Sequence, residues 1–196
     1  MENYIKNKEP RRGLLGFLSK IFFDSSSVGK GSDGEKKVAW ELFTRLSDHW
    51  LVINDLKITR GNVKSQVDHL LLGPPGIFSL ETKNWNTAAC DCQGEWLRFQ
   101  HGMWIPQKSP AVQCKKQIFS LEQILKEEDE AVLVYGIIVF ASAGKFDFSE
   151  ARLPENVMVY GLPGLIEYLN RLEKTRHQYN QRQIERLAGH IYKGFC

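Results

Sequence analysis

The residues whose spacing could do chemistry lie on either side of Gly73-Pro74-Pro75-Gly76. Residues 65–72 and 77–83 read as strands, and the four breakers between them read as a hairpin loop. With that loop Leu72 pairs with Ile77, and the register then sets Asp68 opposite Glu81 and Gln66 opposite Lys83. Alternate residues of a strand share a face, so all four side chains are expected on one side of the hairpin. Directly opposed residues have Cβ atoms about 5 Å apart, a separation at which two carboxylates repel. Two arrangements tolerate such a pair. The carboxylates can share a proton, or they can bind a hard cation such as Mg²⁺. Lys83 favours the cation, because an ammonium there can stabilise charge building on an attacked phosphate. The non-catalytic alternative is an exposed ion-pair patch of Asp68, Glu81 and Lys83.

Other elements must hold this hairpin in place. Residues 33–49 read as a helix with Asp33 as its N-cap. Its apolar stripe is Val38, Leu42 and Leu46, and one turn back from Val38 lies Glu35, a carboxylate in register with the buried face. Residues 51–58 read as a strand, followed by a basic turn at Arg60-Gly61-Asn62. Residues 85–105 read as a short hairpin region with turns at Gln93-Gly94-Glu95 and His101-Gly102. Ser109 as N-cap and Pro110 at the first helical position open a second helix. Its stripe is Cys114, Ile118, Leu121 and Leu125, with Gln113 and Gln117 on the same side. After an acidic loop, residues 131–140 are apolar enough for a strand buried on both faces. A strand at 157–160 and helices at 162–172 and 181–192 complete the chain. The core order, α-β-β-β-α-β, predicts an α/β domain.

Composition narrows the function classes. A chain of 196 residues buries a sizeable core without disulfides or structural metals. Its 26 Lys and Arg exceed its 23 Asp and Glu by three, and residues 1–30 alone account for that excess. The rest of the chain is balanced, which excludes a surface coated in positive charge; any polyanion site is local. One candidate is Lys57, Arg60 and Lys64 on the loop before the Asp68 strand, and another is the basic stretch from Arg171. Four cysteines at uneven spacing exclude a disulfide framework and predict a reduced, cytoplasmic protein. Cys90-x-Cys92 has no second pair at ligand spacing and reads as ordinary thiols on a strand. The longest apolar run, 131–140, is too short to cross a bilayer.

Residues 1–30 read as an appendage and linker, and residues 31–196 as one domain, with its core at about 31–145 and a C-terminal strand and helices over 146–196. Within the appendage, Leu14, Leu15, Leu18, Ile21 and Phe22 share one helical face. Residues 14–23 therefore predict a helix for a membrane surface or a protein partner, with packing on its own domain as the alternative.

Several of these residues form motifs that occur in a fixed order. They are Gly34-Glu35-x-x-Val38, Gln66-Val67-Asp68-His69-Leu70-Leu71-Leu72-Gly73-Pro74, Gly76-Ile77-Phe78, Glu81-Thr82-Lys83-Asn84-Trp85 and Ser109-Pro110-x-x-Gln113. Together they resemble the nuclease-related domain family, NERD, of the PD-(D/E)XK nuclease superfamily; Val67 stands where the superfamily name has Pro. The resemblance implies a restriction-endonuclease-like fold, a mixed central sheet flanked by helices. It implies a divalent-metal-dependent nuclease, using Mg²⁺ or Mn²⁺ to hydrolyse phosphodiester bonds of nucleic acid, with DNA the first expectation. Asp68 and Glu81 would be metal ligands, with the Thr82 backbone carbonyl as a third, and Glu35 would bind directly or through water. Lys83 would position or activate the attacking water, and Gln113 would orient the substrate phosphate or the nucleophile. The alternative is a non-catalytic nucleic-acid or protein-binding module on the same fold, which would have little use for opposed carboxylates.

Three aromatic residues near these motifs have simpler readings. His69 alternates to the face opposite Asp68 and is expected to pack under a helix. Trp85 and Trp96 could stack on unpaired bases, but packing is the favoured expectation for both.

Overall fold

The computed structural model describes residues 33–60, 63–128 and 131–193. The appendage, with the helix expected at 14–23, lies outside the described residues. Two sheets form. The larger has the order β1-β2-β3-β7-β9, built from β1 (Leu51–Arg60), β2 (Val63–Gly73), β3 (Gly76–Lys83), β7 (Val134–Phe140) and β9 (Val157–Gly161). β1, β2 and β3 are antiparallel, whereas β3, β7 and β9 are parallel, so the sheet is mixed. The smaller sheet has the order β6-β5-β4-β8, from β4 (Thr87–Cys90), β5 (Trp96–Gln100), β6 (Met103–Gln107) and β8 (Lys145–Asp147).

Among the described residues, four helices cover the large sheet. α1 (Asp33–Arg45) and α3 (Leu162–Thr175) bury Val38, Leu42, Leu165 and Leu169 against Leu71, Phe78 and Leu80 on one face. α2 (Pro110–Leu125) and α4 (Gln181–Lys193) bury Cys114, Ile118, Leu121, Ile184 and Leu187 against Leu70, Leu72, Ile77 and Ile138 on the other. The result is the α/β architecture that the element order predicts. β3 and β7 lie inside the sheet with a helix layer on each face, which is why neither alternates apolar with polar residues.

Four details differ from expectation. α1 ends at Arg45 rather than near His49, because the Ser47 hydroxyl accepts the His49 N–H and draws the backbone into a turn. β1 and β2 run to Arg60 and from Val63, so Lys57 and Lys64 sit in strands rather than in a loop. β7 begins at Val134, after an exposed Leu133. β8 is only three residues long, too short to show a period, and was not expected.

β8 matters because of what surrounds it. Phe146 and Phe148 pack on Phe140 with ring centroids 4.4 and 5.1 Å away, and Trp85 and Trp96 close the cluster. This aromatic knot fixes the small sheet against the end of the large one, beside Lys83. Trp96, 1% exposed, belongs wholly to that core and is not available to a base.

Candidate active site

The hairpin register from Gly73↔Gly76 to His69↔Leu80 agrees with the sequence reading. The ladder then stops one pair short of Asp68 and Glu81. Both strands next to Asp68 change face at this point. On β1 the core side chains are Leu51 and Ile53, then Leu56 and Ile58; on β2 they are Leu72 and Leu70, then Val67. The switch falls at Asp55, whose φ of 51° is left-handed, and at Asp68, the residue that would face it. Asp is one of the few side chains that tolerates such a backbone.

The kink determines the chemistry. Asp68 Oδ2 accepts the Thr82 N–H at 2.7 Å, so a side chain takes the place of the ladder bond. Gln66, beyond the kink, does not face Lys83 as the register implied. Its Nε2 donates to Asp55 Oδ1 at 2.8 Å instead, and the expected Gln66–Lys83 pairing is corrected accordingly.

Glu81 is 5% exposed and held at both oxygens. Lys83 Nζ donates to Oε1 at 2.6 Å, and Gln117 Nε2 donates to Oε2 at 2.7 Å. Gln117 is itself fixed, donating to the Gln66 carbonyl at 2.8 Å and accepting from Ser79 Oγ at 2.9 Å. Gln113, exposed one turn earlier on α2, accepts from Lys83 Nζ at 3.0 Å, leaving its amide N–H groups for an incoming oxygen. Gln117 and Ser79 were not among the expected site residues. Their signal was spacing: Gln117 lies four residues from Gln113 on one helix face, and Ser79 two residues from Glu81 on one strand face.

Glu35 reaches the site from α1. Gly34 packs so tightly on the end of β3 that a Cβ there would lie 2.8 Å from Asn84 Cβ. That close approach brings the Glu35 carboxylate within electrostatic reach of Asp68. Burial, with Glu81 second and Glu35 smaller, raises the Asp68 pKa to about 7, against the lowering effects of the Thr82 N–H and Lys83. The same surroundings, burial first, push the neighbouring Cys114 thiol upward.

His69 is buried as expected. Its Nδ1 lies 2.7 Å from Asn54 Oδ1, and burial lowers its pKa to about 3, so the ring is neutral. Lys57 is exposed and pairs with Asp55 at 3.7 Å; Lys64 is exposed, and the Arg60 side chain lies outside the described residues. Among the described residues no hydrogen bond or ion pair joins Lys57 or Lys64 to Asp68, Glu81 or Lys83.

A hard divalent cation fits the donor chemistry here. Asp68 and Glu81 lie together with Lys83 beside them, and burial first, then the Glu81 charge, raises the proton affinity of Asp68. Among the described residues no group of three or more His, Cys, Asp or Glu side chains is drawn together into a metal-ligand set. The available donors are thus two adjacent carboxylates and nearby backbone oxygen, a set that suits Mg²⁺, which keeps several waters. Thr82 contributes its N–H to Asp68, and its Oγ1 is buried without a hydrogen-bond partner.

Residues 30–141 match the family described as the nuclease-related domain, NERD. No match was found among curated proteins. No helix among the described residues is long and apolar enough to cross a membrane.

Proposed function

The chain belongs to the nuclease-related domain family, whose general context is the PD-(D/E)XK superfamily, and from that premise we propose that it is a divalent-metal-dependent nuclease hydrolysing phosphodiester bonds of nucleic acid, DNA first. One observation carries the reading: the Glu81 carboxylate is buried, Asp68 is half-buried beside it, and the Glu81 charge adds to burial in raising the Asp68 pKa. A binding module gains nothing from bearing that cost, whereas a site for Mg²⁺ or Mn²⁺ requires it. Asp68 and Glu81 would hold the ion, with the Thr82 carbonyl as a third ligand and Glu35 reaching it through water. Bound there, the ion would supply electrostatic stabilisation of the charge that develops on the phosphate.

The rest of the work falls to this chain's own groups. Gln117 holds Glu81 in one orientation, so its carboxylate need not reorganise during the reaction. The Lys83 ammonium, held between Glu81 Oε1 and Gln113 Oε1, offers its remaining proton to the attacking water or to a phosphoryl oxygen. Gln113 directs its N–H groups at the same substrate oxygen. Two buried free thiols, Cys90 and Cys114, are in keeping with a reducing, cytoplasmic setting.

The test is a panel of end-labelled single-stranded and duplex DNA and RNA, incubated with Mg²⁺, Mn²⁺ or chelator. Metal-dependent cleavage that Lys83→Ala abolishes supports the proposal. A wild-type chain that cleaves nothing in the panel with either metal overturns it.

A further inference from the structure

A substrate carrying one negative charge per phosphate needs more positive charge than a single lysine. No Asp or Glu occurs between Glu95 and Glu122, while Arg98, Lys108, Lys115 and Lys116 all fall in that stretch. The stretch forms β5, β6 and α2, the two walls beside Lys83. On one side, the Arg98 guanidinium lies over the Trp85 ring, 5.9 Å from its centre, and Lys83 Nζ lies over the same ring at 5.9 Å. The two cations are therefore no more than about 12 Å apart. With its amide turned to satisfy both groups, Gln100 accepts from the two terminal nitrogens of Arg98 at 3.2 Å, which holds the guanidinium in place without neutralising it.

On the other side, Lys83 is bonded to Gln113, and Lys116 follows Gln113 by three residues on α2. Residues three apart are neighbours on a helix surface. Lys116 is exposed, and among the described residues neither it nor Arg98 is ion-paired with a carboxylate. Lys126, at the far end of the same helix, is paired with Glu122. Arg98 and Lys116 thus each neighbour Lys83, one across the Trp85 ring and the other one helical turn from Gln113, a row by connectivity whose shared member is Lys83. Trp85 carries two of them over its ring.

We propose that this row binds the phosphate backbone of one nucleic-acid strand, with Arg98 and Lys116 holding phosphates on either side of the one at Lys83. The proposal rests on the nuclease reading and places the polyanion surface on β5 and α2, away from Lys57 and Lys64. Its test is the affinity of the full-length chain for labelled single-stranded and duplex oligonucleotides, measured by anisotropy in chelator over a series of KCl concentrations. Each phosphate contact contributes about 0.9 to the slope of log affinity against log salt for duplex and about 0.7 for single strands. Arg98→Ala and Lys116→Ala should each lower the slope by about that amount and weaken low-salt binding on the order of tenfold. Arg98→Lys should restore the slope, and Lys126→Ala should leave it unchanged; a loss of packing around Trp85 would not produce that pattern. Wild-type slopes in both alanine variants would overturn the row while leaving the nuclease reading intact. Binding with the expected slopes but no cleavage would overturn hydrolysis and support the row. A wild-type chain that binds no oligonucleotide at any of these salt concentrations overturns the row, and cleavage with Mg²⁺ or Mn²⁺ then decides the nuclease reading by itself.

Discussion

Asp68→Asn tests whether the site is built around a missing positive charge. In the chelated protein, burial and Glu81 hold the Asp68 pKa at about 7, against an ordinary 3.8. The folded chain then binds this proton more tightly than the unfolded chain. The stability linked to it is complete below about pH 4 and is lost as pH rises towards 7. At about 1.36 kcal/mol per unit, the full window spans at most ~4 kcal/mol. Asparagine keeps the shape and an oxygen for the Thr82 N–H, and it carries no charge. In chelator at pH 8 the variant should therefore be more stable than wild type by about 1–3 kcal/mol. At pH 5, where wild-type Asp68 is largely protonated when folded, the gap should fall below about 1 kcal/mol. Added Mg²⁺ at pH 8 should close or reverse the gap, because tight binding to the folded state stabilises wild type alone. Urea unfolding at the two pH values, with and without Mg²⁺, measures all of this. A gap indifferent to pH and Mg²⁺, or a variant less stable than wild type at pH 8 in chelator, would refute the reasoning.

Three further outcomes follow from the same contacts. Gln117→Leu leaves Glu81 Oε2, the Gln66 carbonyl and Ser79 Oγ without their buried partner, and urea unfolding should show a loss of about 2–4 kcal/mol. Lys83→Ala should abolish cleavage while Mg²⁺ affinity by calorimetry stays level or rises slightly, since a nearby ammonium competes with the ion. Gly34→Ala drives a Cβ into Asn84, so it should destabilise by about 1–3 kcal/mol and lower turnover by displacing Glu35; Asn84→Gly should recover part of both in thermal melts and cleavage assays.

Much of this site could be read in the sequence because its parts obey regular periods. The Gly73-Pro74-Pro75-Gly76 loop set the register as far as His69↔Leu80, and Ser109-Pro110 located the start of α2, where the Ser109 hydroxyl accepts the Val112 N–H. The errors fall where the period breaks. A strand that alternates faithfully would put Gln66 beside Lys83, but the left-handed backbone at Asp55 and the matching kink at Asp68 reverse the faces beyond them. That reversal has a trace in the sequence: the core residues of β1 run Leu51, Ile53, Leu56, Ile58, a step of three between two steps of two. Gln117 was missed for a different reason. Its spacing put it on the same side as the apolar stripe, but its partners, Glu81, Ser79 and the Gln66 carbonyl, come from other strands and are brought round it only by folding. The cation row is likewise visible only as an acid-free stretch until folding sets β5 and α2 on either side of Lys83.

The break in the ladder and the chemistry of the site have one cause. Had β2 and β3 stayed paired through Asp68, backbone groups would have satisfied the Thr82 N–H, and the Asp68 carboxylate would have stood out from a regular sheet. The kink withdraws the β2 backbone, and the Asp68 side chain takes over that N–H through Oδ2. This fixes one end of the carboxylate and leaves Oδ1 for another partner. Glu81 is divided in the same way. Its Oε2 is tied to Gln117, which is bonded to both Ser79 and β2, while its Oε1 accepts from the ammonium of Lys83. Each acid therefore has one oxygen anchored to the framework, and on Glu81 the other meets the exchangeable charge of Lys83. Lys83 is the partner that can yield, because Gln113 already accepts a second of its protons. A purely structural ion pair would need no such division. On the proposed reading it lets the carboxylates take up a cation without moving, and it keeps Lys83 beside the phosphate it would serve.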